Sequence, residues 1–151
     1  MDAVKFYYEY KEHGYLSNYF VIDISVDGEV YRSVEHYYQS QKTLDPEMAD
    51  RIKNAPTCDD AKTLGNSPGL VLREDWGTYK VDVMRKALEA KFTQHVAMKR
   101  QLLDTGDAVL MEDSQKDYFW GIGADGTGKS MLGKLLMELR SELRTAAVPK
   151  T

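Results

Sequence analysis

Gly123-Ala-Asp-Gly-Thr-Gly-Lys-Ser130 fits the pattern G-x-x-x-x-G-K-[ST] at every specified position. Taken alone it announces a parallel α/β fold that binds a nucleoside triphosphate, because such a loop runs from a buried strand into a helix and cradles phosphates on its N–H groups. The residues around it say otherwise. Asp113-Ser-Gln-Lys-Asp-Tyr-Phe-Trp120 is acidic, polar and then aromatic, unlike the apolar run of a strand buried on both faces. After Ser130 only residues 131–151 remain, enough for one amphipathic helix and a tail but not for further βαβ units. The stretch therefore reads as a Gly-rich loop leading into the last helix. Ser130 is the expected N-cap, and the backbone N–H groups are expected to stay open to a ligand phosphate.

Working outward, the chain shows strands first and then mostly helices, without regular β-α alternation. Phe6 to Tyr10 reads as a first strand. Phe20 to Ser25 and Glu29 to Arg32 flank Asp27-Gly28, a hairpin signal. Ser33 caps a helix from Val34 to Leu44, Asp45-Pro46 starts another through Asn54, and Thr57 caps a third ending near Gly65. A long helical pattern covers Lys80 to Leu103, Ala108 to Glu112 is a short strand, and Met131 to Leu143 is the last helix. The expected fold is α+β: one mostly helical domain over 1–151 with a small antiparallel sheet and a flexible tail from about residue 145.

Composition narrows the function. The 151 residues carry a net charge of −4, which argues against a broad basic surface tracking a nucleic-acid backbone but not against a nucleotide in a pocket. Cys58 is the only cysteine, so there is no intrachain disulfide and no all-cysteine metal site. His13, His36 and His95 stand in no ligand spacing, and no metal or cofactor is expected. No apolar run is long enough for a membrane span, and the N-terminus lacks a charged-then-apolar leader, so a soluble cytoplasmic protein is the expectation.

Chemistry could sit in two places. In Val34-Glu-His-Tyr-Tyr-Gln-Ser-Gln-Lys42, residues Glu35, Gln39 and Lys42 fall at i, i+4 and i+7 and share a helix face. On a solvated surface that is an ordinary polar stripe. Flanked by Tyr37 and Tyr38, it is also an acid, an amide and an amine facing one cleft. Asp117-Tyr-Phe-Trp-Gly121 supplies a second carboxylate beside an indole, and Trp76 a further indole. Paired carboxylates with stacking rings suit hydrolysis of a bond between a sugar and a nitrogen base.

Those residues belong to a longer pattern. Leu16-Ser-Asn-Tyr-Phe20, Glu35-His-Tyr-Tyr-Gln39 with Lys42, Ala61-Lys-Thr-Leu-Gly65, Asp75-Trp76, Met84 and Lys91-Phe92 come first. Leu103-Asp-Thr-Gly-Asp107, Asp117-Tyr-Phe-Trp-Gly121, Gly126-Thr-Gly128 and Leu132-Gly-Lys-Leu-Leu-Met137 with Arg140 follow. In this order they resemble the YbiA-like, or NADAR, family. The resemblance implies an α+β fold and N-glycosidase activity on phosphorylated N-ribosides. One branch acts on early riboflavin-pathway ribosylamino-pyrimidines, and another removes ADP-ribose from guanine in nucleic acid. The second is the preferred expectation, the first its alternative, and an ADP-ribose-binding module that lacks catalysis the rival of another class. Expected partners are ADP-ribose or a phosphoribosyl group, including ADP-ribosylated bases or ends of DNA and RNA, and no membrane.

Carried over by position, the resemblance implies catalytic roles for Glu35, Asp117 and Lys42. It implies substrate binding by Asn18, Trp76 and Trp120; Gln39 on the helix face and Gly121, Gly128 and Ser130 around the Gly-rich loop are further expected substrate contacts. The family usually has Asn where this chain has Ser130. Two mechanisms fit these residue types: Glu35 or Asp117 activates water, or Lys42 forms a Schiff base with the sugar, which needs an amine well below its ordinary pKa of about 10.4.

Overall fold

The computed structural model describes residues 2–146, so most of the tail expected to be flexible lies outside the described residues. The chain divides into two compact units, residues 18–91 and residues 1–17 with 92–151.

The unit 18–91 is built by local signals. Asp27 and Gly28 both have positive φ, 52° and 82°, so the turn between β2 (Ile24–Val26) and β3 (Glu29–Tyr31) has the twist that antiparallel hairpins favour. The Ser33 side chain accepts from the His36 N–H and starts α1 (Val34–Ser40). Asp45 caps α2 (Pro46–Lys53), with Pro46 in its first turn, and Thr57 caps α3 (Cys58–Gly65) through the Asp60 N–H. α1 stops at Gln41, earlier than Leu44. Every residue of α1 is buried, and α2 and α3 pack around it over Ile52, Ala55 and Ala61. α4 (Trp76–Gln94) begins a turn earlier than its apolar stripe suggests, because Asp75 accepts the N–H groups of Thr78 and Tyr79.

The other unit holds β1 (Ala3–Phe6), a 3-10 turn at Gly14–Leu16, α5 (Val96–Asp104), β4 (Val109–Glu112) and α6 (Met131–Ala146). β1 ends at Phe6, where the expected strand began, and Tyr7, Tyr8 and Tyr10 beyond it are exposed. β1 lies parallel to β4, from Ala3 beside Val109 to Phe6 beside Glu112. A parallel pair needs a long connection, which the intervening chain supplies. The long helix expected to run to Leu103 is instead interrupted at His95, whose extended backbone separates α4 from α5. α6 lays Leu132, Leu135, Leu136, Leu139 and Leu143 into the core. Buried Arg140 ties it to the α5–β4 turn, donating to Thr105 Oγ1 at 2.8 Å and the Ala108 carbonyl at 2.9 Å.

The Gly-rich loop is not a phosphate cradle. The N–H groups of Gly128, Lys129, Ser130, Met131 and Leu132 donate to the carbonyls of Ile122, Tyr118, Gly121, Phe119 and Trp120 respectively, and that of Thr127 to the Asp125 side chain. The donors that a phosphate would need are consumed by the chain itself. Two expectations fall with this: the loop's N–H groups are not open to a phosphate, and Ser130 is not a side-chain cap. Its φ is +48° instead of extended, and its buried hydroxyl has no hydrogen-bond partner among the described residues. The left-handed region tolerates Asn better than Ser, a backbone reason for the Asn that the resemblance implies at this position.

Gly133 has no room for a side chain, because a Cβ there would overlap the Leu110 carbonyl oxygen. Gly133→Ala should push α6 off β4 and destabilise the protein by about 3 kcal/mol. Urea unfolding against the parent chain measures this.

Candidate functional site

The residues singled out from the sequence divide between the units. Asn18, Glu35, Gln39, Lys42 and Trp76 are in the unit 18–91, and Asp117, Trp120, Gly121, Gly128 and Ser130 are in the other.

In the first unit a polar cluster grows from α1. Glu35 and Gln39 lie one turn apart, and Gln39 Nε2 donates to Glu35 Oε1 at 2.7 Å, with both residues buried. The Glu35 N–H donates to the Asn18 carbonyl at 3.2 Å, anchoring the Tyr19-Phe20 segment to the start of the helix. Asn18 Nδ2 reaches the Met84 sulfur at 3.5 Å on α4. The side-chain oxygens of Asn18 and Gln39 are buried without a hydrogen-bond partner among the described residues. Each such acceptor costs about 1–3 kcal/mol, a cost that native structures carry mainly at special sites.

Lys42 follows the helix end. Its Nζ donates to Asn66 Oδ1 at 3.0 Å and lies 3.5 Å from the Gly65 carbonyl, both at the end of α3. It also lies 5.8 Å from the ring centre of Tyr38, which packs edge-on against Trp76 at 5.1 Å. Burial pushes the Lys42 ammonium below the ordinary lysine range, Glu35 pulls it back up, and Lys62 and Lys80 press it down again. The net effect is an amine more readily neutral than usual, near a carboxylate and over the Tyr38 ring. Tyr19 sits near the same acid: its phenol donates to Asp59 at 3.0 Å, and burial, then Glu35, raise its pKa.

In the second unit Asp117 acts on its own loop. Its Oδ1 accepts the N–H groups of Phe119 at 2.9 Å and Trp120 at 2.7 Å, an Asx turn that fixes the aromatic pair. Trp120 is buried and meets Phe119 edge-on at 4.8 Å. Gly121 and Gly128 are packed against each other's backbone, so that a side chain on Gly128 would overlap the Gly121 carbonyl. The Ser130 hydroxyl points toward Gly133 and β4. Each of these residues has a structural task in the loop.

Two buried groups carry no role in the sequence reading. His36 is held by Ser33 Oγ at 2.7 Å and the Ala55 carbonyl at 3.0 Å, and burial lowers its pKa, so it is a satisfied core imidazole. Lys91 is fully buried, 5.5 Å from the Phe20 ring centre, and burial lowers its pKa to about 7. Its signal in the sequence was position: it follows Ala87 and Leu88 by four and three residues, on the apolar face of α4. Among the described residues no group of His, Cys, Asp and Glu could hold a metal ion, and no helix is long and apolar enough to cross a membrane.

The NADAR domain pattern matches residues 5–144. The chain belongs to the NADAR family. It is 41% identical over 140 residues to N-glycosidase YbiA of Escherichia coli K12, spanning 93% of this chain and 88% of that one. It is 40% identical over 148 residues to Riboflavin biosynthesis protein VVA0006 of Vibrio vulnificus, which covers 97% of this chain but only 40% of that longer protein. The solved structure of E. coli YbiA superposes with a TM-score of 0.91 at 38% identity, covering 99% of this chain and 89% of that one.

Gly65 presses on the Gln39 amide, and a Cβ at Gly65 would overlap Gln39 Oε1. Gly65→Ala should break the Gln39–Glu35 contact and lower turnover by about tenfold or more while α3 stays folded. Steady-state kinetics with circular dichroism separates the two effects. For Lys91, the folded-state pKa near 7 lies below the ordinary 10.5, so between those values the unfolded chain binds more protons. Stability should therefore rise as pH increases from about 7 toward about 10.5, and Lys91→Met should flatten that rise in a series of thermal melts.

Proposed function

We propose that this protein is an N-glycosidase that hydrolyses the bond between a phosphorylated ribose and an amino-pyrimidine or guanine-like base. The observation that carries the reading is the cluster in the unit 18–91. A buried carboxylate, Glu35, is hydrogen-bonded to Gln39, and a lysine of lowered pKa, Lys42, lies by the Tyr38–Trp76 pair. The name of the YbiA relative, which shares 41% identity, supports the same chemistry.

Glu35 and Lys42 divide the work. The ribose ring opens as its C1–oxygen bond breaks, the ring oxygen takes a proton, and the base nitrogen forms an imine to C1; the neutral Lys42 amine then adds to C1, returning the imine electrons to the base nitrogen. The base nitrogen leaves with its bonding electrons, taking a proton delivered through Glu35, and an iminium to Lys42 remains. Water then adds to that carbon, and Lys42 departs as an amine, restoring the enzyme and releasing the free sugar phosphate. The lowered Lys42 pKa supports this route over direct attack by water. The assignment of Asp117 as an acid-base group is weaker, since its Oδ1 already holds two backbone N–H groups. Tyr38 and Trp76 would offer the base an aromatic wall.

Of the two substrate classes, we favour the ribosylamino-pyrimidine phosphate over ADP-ribosylated guanine, reversing the preference drawn from sequence. The name of the Vibrio relative, a riboflavin biosynthesis protein, supports this choice. Both substrates join a ribose through nitrogen to a 2-amino-4-oxo-pyrimidine edge, so one assay addresses both. Incubation with each in turn, followed by mass spectrometry of the released base, should show release from the pyrimidine riboside phosphate. Borohydride should trap an adduct on Lys42, and Lys42→Ala should lower the rate by at least about a hundredfold. Release from neither substrate overturns the N-glycosidase reading. Release with no adduct and an active Lys42→Ala variant overturns the lysine route alone.

A further inference from the structure

We propose that Lys62 on α3 and Lys80 on α4 bind the phosphate of the substrate beside Lys42. The inference rests on the reading above and extends it to the part of the ligand away from the reacting bond. The geometry brings three lysines from three segments toward one place. Asn66 accepts from Lys42 Nζ through Oδ1 at 3.0 Å, while its own N–H and Nδ2 donate to the Lys62 carbonyl at 3.0 and 2.8 Å. Lys62 is therefore one helical turn from the Lys42 contact. On the opposite wall, Trp76 packs on Tyr38, over whose ring Lys42 lies, and Lys80 follows Trp76 by four residues on the same face of α4.

The charged groups around the Lys42 amine are then Glu35 from its own segment, Lys62 from α3 and Lys80 from α4. Arg73, whose N–H donates to the Lys42 carbonyl, turns its guanidinium to Asp75 and the Tyr79 ring. Lys62 is exposed and makes no ion pair among the described residues, and Lys80 is half-buried. Both lysines depress the Lys42 pKa, in keeping with this placement. Like charges gathered around a single carboxylate repel one another, and a bound dianion relieves that repulsion. The favourable position of Lys62 near the C-terminus of α3 accounts for one cation but not for the convergence of three.

The phosphate is a separate part of the ligand from the base, so it can be tested with ribose 5-phosphate and ribose by calorimetry on the full chain. Lys62→Met and Lys80→Met should each weaken ribose 5-phosphate binding by about tenfold and leave ribose binding unchanged, with Lys→Arg restoring it. Lys134→Met on the exposed face of α6 is the control. In turnover the Met variants should raise KM for a phosphorylated substrate more than they lower kcat. Each should also move the Lys42-dependent limb of the pH profile upward, because one cation that favours the neutral amine is gone. Lys62 is exposed, so Lys62→Met tests the proposal even if Lys80→Met fails to fold. Equal binding of ribose and ribose 5-phosphate by the parent chain, or undiminished ribose 5-phosphate binding in Lys62→Met, overturns it. If the parent chain binds ribose 5-phosphate through these lysines yet releases no base, the hydrolase reading fails and the phosphate anchor stands.

Discussion

A seven-residue helix buried on every side is the constraint around which residues 18–91 are arranged. Removing a carboxylate, an amide and an imidazole from water costs several kcal/mol unless each finds a partner. α1 meets most of that cost within itself and its immediate frame. Gln39 answers Glu35 one turn away, Ser33 and the Ala55 carbonyl answer His36, and the Ser40 hydroxyl donates to the Tyr37 carbonyl. The hairpin before α1 and the helices after it exist in part to supply those partners and to exclude water. What remains unanswered among the described residues, the side-chain oxygens of Asn18 and Gln39, belongs to the two residues that hydrogen-bond Glu35. A fold selected for stability alone would fill such positions with leucine.

What could be read in advance follows from the range of the forces involved. Asp27-Gly28, Ser33, Asp45-Pro46 and Thr57 act within four residues of themselves, and each does what its chemistry requires. Pairing of β1 with β4 joins residues about a hundred positions apart, and no local pattern in Ala3–Phe6 announces a parallel partner. The interruption at His95 is likewise invisible to periodicity, because the apolar stripe continues across it. In the site, the shared face of Glu35 and Gln39 was legible from spacing, but its burial was not, and Lys42, expected on the same face, lies beyond the end of α1. A polar stripe looks the same whether solvent or two further helices cover it. Lys91 is the converse: a cation on an apolar helix face, legible in principle from its offset to Ala87 and Leu88.

The Gly-rich loop shows how one pattern serves a different end. In a phosphate-binding loop successive N–H groups converge on an anion, and the preceding strand keeps its carbonyls in the sheet. Here the residues before the loop form an Asx turn on Asp117 instead of a strand, which frees the carbonyls of residues 118–122 to meet those N–H groups. The lysine of the motif lies over the Phe119 ring, 5.6 Å from its centre. The motif is satisfied by protein, and Gly123 and Gly128 provide close packing against Tyr118 and the Gly121–Ile122 backbone in place of ligand access.

Burial lowers the pKa of two lysines in the same unit, and the contrast between them decides which can do chemistry. Lys91 is the more strongly shifted, but it is enclosed completely, so a substrate carbon could reach it only if the packing around Phe20 and Cys58 opened. A neutral amine without access is a cost to stability and nothing more. For Lys42, Glu35 opposes the effect of burial, and this lysine lies just past the end of a helix near that acid, as the proposed lysine route requires. Nucleophilic catalysis needs an amine that is neutral part of the time, reachable, and next to a proton carrier. Only Lys42, of these two, has both an acid neighbour and a place at the edge of the buried cluster.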